Sequence, residues 1–164
     1  MAFGQGTFNL NNRQTADGIN AIVTHMDGMT AIDGADGWVV QAWVGADAGS
    51  LAPVGTPVEF RTGAAAGYFA GGAVDAGVAN GTEVMIQVAA WNINDGADVL
   101  AAQAAGGAVG LSIPVTVTVD GPPNTPPNLV GLEPWMVSAE VIPEPSTFAL
   151  GLLGIGALML RRRK

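Results

Sequence analysis

Few residues in this chain can do chemistry. His25 is the sole histidine, and there is no cysteine. Disulfides, thiolate zinc sites, a Cys nucleophile and multi-histidine metal sites are therefore excluded. A Ser-His-Asp triad needs a serine held in a supported turn. The body offers Ser50, Ser112 and Ser138, none of them in a G-x-S-x-G elbow, so His25 reads as a surface or capping residue. Thirteen acidic residues precede position 143, and some pair will be close by chance. Spatial separation, which sequence does not give, decides whether such a pair hydrolyses glycosides. Residues 33–37 and 92–98 form two oxygen-rich loops of the kind calcium takes. Neither follows the EF-hand spacing, and Asp and Asn are ordinary turn residues. Trp38, Trp43, Tyr68 and Trp91 are candidates for a sugar-stacking platform. Trp38 and Trp43 are five apart, so on one strand they face opposite ways. The plainer reading is a core with one rim aromatic. No cofactor and no metal is expected.

The C-terminus carries a stronger pattern. Pro143-Glu144-Pro145 is followed by Ser146, Thr147 and thirteen residues without a polar side chain, FALGLLGIGALML. Phe148, Leu150, Leu152, Leu153, Ile155, Leu158 and Leu160 supply its bulk. Arg161, Arg162, Arg163 and Lys164 follow at once. The prolines keep the tripeptide extended and accessible. As a helix the apolar run is about 20 Å long, short against a bilayer core of about 30 Å. It has no polar face for water. In a membrane the run inserts and the basic stop stays cytoplasmic, which leaves the body outside. A recognition tripeptide, a temporary membrane hold and a discarded tail are the logic of processed C-terminal signals.

VIPEPSTFALGLLGIGALMLRRRK closely resembles the PEP-CTERM sorting signal of Gram-negative bacteria, over about residues 142–164. The tripeptide, its spacing, the Gly/Leu-rich run and the Arg cluster all match. The resemblance implies that an exosortase, a membrane protease, recognises Pro143, Glu144 and Pro145 as a substrate site and removes the tail. It implies transient residence in the inner membrane, then the cell surface or the extracellular space. It also links such proteins to exopolysaccharide and biofilm matrix, which makes exopolysaccharide a further expected partner. Export requires a leader. Met1-Ala2-Phe3-Gly4-Gln5-Gly6 has no basic or apolar stretch, so the expectation is an export signal encoded upstream of Met1.

The elements that must carry these residues read as mainly β. Charged residues are 12% of the chain and 24 residues are glycine, against roughly 25% charged in typical domains. Up to residue 142 there are two basic side chains, Arg13 and Arg61, against thirteen acidic ones, a net −11. Such a body repels phosphate backbones, so nucleic acid is excluded as a partner. Strands are predicted at 6–9, 21–24, 38–45, 57–62, 68–73, 82–91 and 111–119. Pro114 predicts an edge or a bulge, and Asn80-Gly81 a hairpin turn. One helix is predicted over 98–105, capped by Asp95 or Asp98, and placed over one end of the sandwich. The expected architecture is a small antiparallel β-sandwich over 1–120 with one short helix. A Pro-rich linker and stalk follow over 121–142, in which Leu129-Val130-Gly131-Leu132 is either a last strand or a stalk contact, so that the body ends near Asp120 or near Leu132; the sorting signal with a hydrophobic helix occupies 143–164. Six or seven short strands and no βα alternation support this class. The expected function is that of a non-enzymatic exported surface or matrix protein. A secreted carbohydrate-binding module, with exposed aromatics in one groove, is the alternative; a secreted hydrolase would need a pocket with a perturbed carboxylate pair.

Overall fold

The computed structural model describes residues 5–139. The sorting tripeptide, the apolar run and the basic stop lie outside the described residues, as does the expected hydrophobic helix. In chain order the elements are β1 (Gln5–Asn11), β2 (Arg13–Gln14), β3 (Ile19–Asn20), β4 (Val23–Thr24), β5 (Trp38–Gly45), β6 (Ala52–Glu59), β7 (Ala70–Ala79), β8 (Glu83–Asn92), α1 (Val99–Ala104), β9 (Val109–Leu111), β10 (Val115–Thr118) and β11 (Trp135–Met136). The described chain is mainly β, with antiparallel sheets and one α-helix. One pair, β11 with β4, is parallel.

The largest sheet has the order β10-β8-β5-β6, with β9 also on β8. β5 and β8 are its centre, and where α1 covers them they bury residues on both faces. Trp38, Val40, Ala42 and Val44 of β5 point to one side with Val84, Ile86, Val88 and Ala90 of β8, and all are buried. A second sheet, β1 with β7, contributes Phe8, Leu10 and Ala76 to the same core. β7 runs AGGAVDAGVA, a sequence of poor β-propensity. The strand expected at 68–73 begins at Ala70 and runs to Ala79, because pairing with β1 outweighs local preference.

Several expectations need correction. The Asn80-Gly81 turn forms, with Gly81 at φ 78°, but it closes no hairpin. Its two strands enter different sheets, and the Gly81 N–H donates to Val119 O at 2.8 Å. The strand expected at 57–62 lies at Ala52–Glu59, shifted toward the N-terminus. β6 is a sheet edge, and Pro53 and Pro57 fit it because neither has an N–H to give a neighbour. Its register on β5 jumps from Val40–Val58 to Ala42–Val54, and the Gln41 amide fills the gap by donating to Gly55 O. The prolines and this irregularity blunt the open edge against pairing with another chain.

The strand expected at 111–119 is two strands, broken where Pro114 predicts a fault. At the break, Ser112 replaces a backbone partner: its hydroxyl accepts from Val88 N–H and donates to Ile113 O, each at 2.9 Å. The helix forms where expected, with the Asp98 carboxylate accepting from Ala101 N–H at 2.8 Å. It does not cover an end of the fold. It lies on the outer face of the large sheet, where Val99 and Ala102 pack with Val39, Ala89 and Trp91. Its two buried positions are three apart and meet that face together.

The linker and stalk expected from 121 also need correction over the described residues. Leu129, Leu132, Trp135 and Val137 are buried in the main core. Thr7 exchanges both backbone hydrogen bonds with Asp120, and Asn9 bridges to Asn128. The prolines make this stretch extended, and its apolar residues still find the core. The body therefore continues to at least residue 139.

Candidate functional site

The expected sorting residues are not placed among the described residues, so the body supplies the geometry. The His25 ring meets Trp38 edge-on, with centroids 5.6 Å apart. The Ser50 hydroxyl is engaged with the backbone of Asp47, and that of Ser112 completes the β8 ladder. Ser138 lies in a backbone bridge with Val109.

The two oxygen-rich loops come together in space, which the sequence did not reveal. Asn92 Nδ2 donates to Asp36 O at 2.8 Å, and Ile93 N–H to Gly37 O at 2.9 Å. Three of their side chains serve nearby backbone. The Asp33 carboxylate accepts from Ala35 and Gly63 N–H, Asn92 Oδ1 from Asn94 N–H, and Asp98 from Ala101 N–H. They act as turn and helix caps. No group of three or more His, Asp or Glu gathers in metal-binding geometry among the described residues.

The aromatics do not form one platform. Trp38 is buried in the main core. Trp91 is buried on the opposite face under α1, with its indole N–H donating to Gly96 O at 3.1 Å. The Tyr68 hydroxyl donates to Asn20, and the Arg13 guanidinium lies 4.9 Å from the Tyr68 ring centre. Trp43, pointing outward as its spacing from Trp38 requires, lines a cleft of about 380 Å³. Trp43 and Gln87 share this cleft with α1, β9 and residues 136–138. Sequence reading missed it. The available signal was Leu100, an apolar residue on the helix side away from Val99 and Ala102. The other was Met136, in a stretch read as stalk.

Residues 141–164 match the family model of the PEP-CTERM protein-sorting motif. The chain carries a PEP-CTERM sorting signal. That signal implies export, a membrane hold through the C-terminal tail, and processing by an exosortase. The matched residues lie outside those the structure describes. No curated protein and no solved structure matches the chain. Among the described residues, no helix is long and apolar enough to cross a membrane.

Proposed function

We propose that this chain is a non-enzymatic exported protein, delivered to the cell surface or extracellular matrix by an exosortase acting at Pro143, Glu144 and Pro145. The PEP-CTERM motif over residues 141–164 carries the reading. The segment from Phe148 to Leu160 holds the chain in the inner membrane until processing, and Arg161–Lys164 stays cytoplasmic by the positive-inside bias. The body is a β-sandwich with α1 laid on its outer face. Three features support a structural role for it: the Asp33 and Asp98 carboxylates act as caps, its Ser50 and Ser112 hydroxyls serve the backbone, and its blunted β6 edge discourages self-pairing. A net charge of −11 up to residue 142 keeps such a body soluble outside the cell. Exopolysaccharide is the proposed matrix partner.

The test is intact mass and C-terminal peptide mapping of the mature protein from its native host. The expected product lacks everything after the Pro143–Pro145 region. A mature chain that keeps Arg161–Lys164 would make the segment a permanent anchor and refute processing.

A further inference from the structure

Up to residue 142 the chain has two basic side chains, Arg13 and Arg61, among thirteen acidic ones. Acids are plentiful, yet neither arginine forms an ion pair among the described residues. Both stand beside one aromatic residue, Tyr68. Three distant stretches of chain meet there. Asn12 grips the backbone on either side of Tyr68: its amide donates to Gly67 O at 2.9 Å, and its carbonyl accepts from Phe69 N–H at 2.8 Å. The next residue, Arg13, therefore lies against Tyr68, its guanidinium 4.9 Å from the ring centre. Arg61 arrives separately, its N–H donating to Tyr68 O at 2.8 Å. Phe60 and Phe69 turn inward together, edge to face with ring centres 5.4 Å apart. By alternation, Arg61 and Tyr68 turn outward together. Arg61 is exposed and Tyr68 half-buried.

The free polar groups of this cluster are donors. The Tyr68 hydroxyl donates to Asn20 Oδ1 at 2.9 Å, which fixes the ring and leaves the Asn20 amide N–H groups without a partner among the described residues. Stacking on Tyr68 holds the plane of Arg13 while its N–H edge stays open. A guanidinium presents its donors as a planar fork that matches a carboxylate. The acids close by do not occupy these forks. Asp17 accepts from Asn128, Asp33 accepts from Ala35 and Gly63 N–H, and Glu59 makes no ion pair with Arg61. The more distant acids of the body are screened beyond about 8 Å at physiological ionic strength. Donors around a half-buried ring fit a ligand that carries a carboxylate on a ring of its own. An acidic polypeptide offers its carboxylates on flexible stems, with no ring to lie against Tyr68.

We propose that Arg13, Arg61, Asn20 and Tyr68 bind a carboxylate-bearing sugar residue. This rests on the reading of exopolysaccharide as the partner and narrows it to an acidic one. The arginines receive the carboxylate, the Asn20 amide donates to a ring hydroxyl, and Tyr68 meets the apolar face of the sugar.

The test is calorimetric titration of the full chain, held in an uncharged detergent without a sugar headgroup. Arg161, Arg162, Arg163 and Lys164 are changed to Gln in every sample, so that the tail does not bind the probe. The probe is oligogalacturonate, with dextran as a neutral sugar and polyglutamate as an acidic polymer without one. Oligogalacturonate is expected to bind, and dextran and polyglutamate to bind at least tenfold more weakly. Arg13→Gln with Arg61→Gln is expected to weaken oligogalacturonate binding by about tenfold or more. Asn20→Asp, which sets a carboxylate beside the arginines, is expected to weaken it as well. Circular dichroism checks that each variant is folded. An affinity in both variants within twofold of the parent overturns the proposal. Polyglutamate bound as tightly as oligogalacturonate assigns the cluster to an acidic protein and overturns it too. Dextran bound in preference refutes the acidic ligand and leaves a polysaccharide partner standing. Binding of neither sugar at millimolar concentration refutes both.

Discussion

At the scale of single residues, buried polar groups do the most defined structural work. Asn12 is fully buried, and every hydrogen bond it makes goes to another segment's backbone. Its amide donates to Ala21 O at 2.6 Å and to Gly67 O at 2.9 Å, and its carbonyl accepts from Phe69 N–H at 2.8 Å. Asn12→Ala leaves Ala21 O and the Phe69 N–H without this partner in the core, while Gly67 O keeps the Val23 N–H. At roughly 1–3 kcal/mol per unsatisfied group, the expected loss is about 2 kcal/mol or more, read from the denaturation midpoint. A loss under 1 kcal/mol would show that water replaces the side chain. Asp27 works at the surface. Its carboxyl is held at about pKa 2, below the usual 3.8, first by the Thr30 hydroxyl and then by the Thr30 and Met29 N–H groups. The lowered value means the carboxylate's hold on this loop is complete above about pH 4 and is lost as the pH falls through 2. Amide exchange at Met29 and Thr30 is expected to quicken over that window. Asp27→Asn should remove the pH dependence.

Elements formed where local chemistry and tertiary pairing agreed. Asp98 caps α1 as its sequence position indicated, and Asp98→Ala is expected to cost about 1 kcal/mol. The loss should appear as faster exchange across α1, and unchanged exchange there would reassign the cap. Ser112 is less legible. A serine within an apolar alternation gives no hint that its hydroxyl will stand in for a ladder carbonyl beside Pro114. Ser112→Ala leaves the Val88 N–H buried without its acceptor, for an expected loss of about 1–3 kcal/mol. A neutral result would mean that β8 and β9 close the gap by shifting. The glycine-rich β7 was under-read for the opposite reason. Its residues carry almost no strand signal, and Phe8 and Leu10 on the paired strand supply the burial that orders it.

For the whole molecule, the boundary of the body is the consequential difference. Ending the chain at Asp120 would remove Leu129, Leu132, Trp135 and Val137 from the core. At about 2 kcal/mol for each buried side chain, that approaches the whole stability of a typical domain. A fragment 1–120 is expected to be unfolded by circular dichroism and rapidly proteolysed, and 1–139 to be folded and resistant. A stable 1–120 would restore the linker reading.

The sequence alone determined what is written locally. The PEP-CTERM signal is a linear motif, readable because its tripeptide, apolar run and basic stop act in order along the chain. The helix cap at Asp98, the turn at Asn80-Gly81, the break at Pro114 and the opposite facing of Trp38 and Trp43 are likewise set by neighbours within a few residues. Tertiary structure decided what depends on partners distant in sequence. It sent the two strands flanking Asn80-Gly81 to different sheets and laid α1 on a sheet face. It drew 129–137 into the core and assembled a cleft from Trp43, Leu100, Leu111 and Met136. Burial of apolar surface is non-directional, so a sequence shows which residues seek cover and leaves open which of many covers they find.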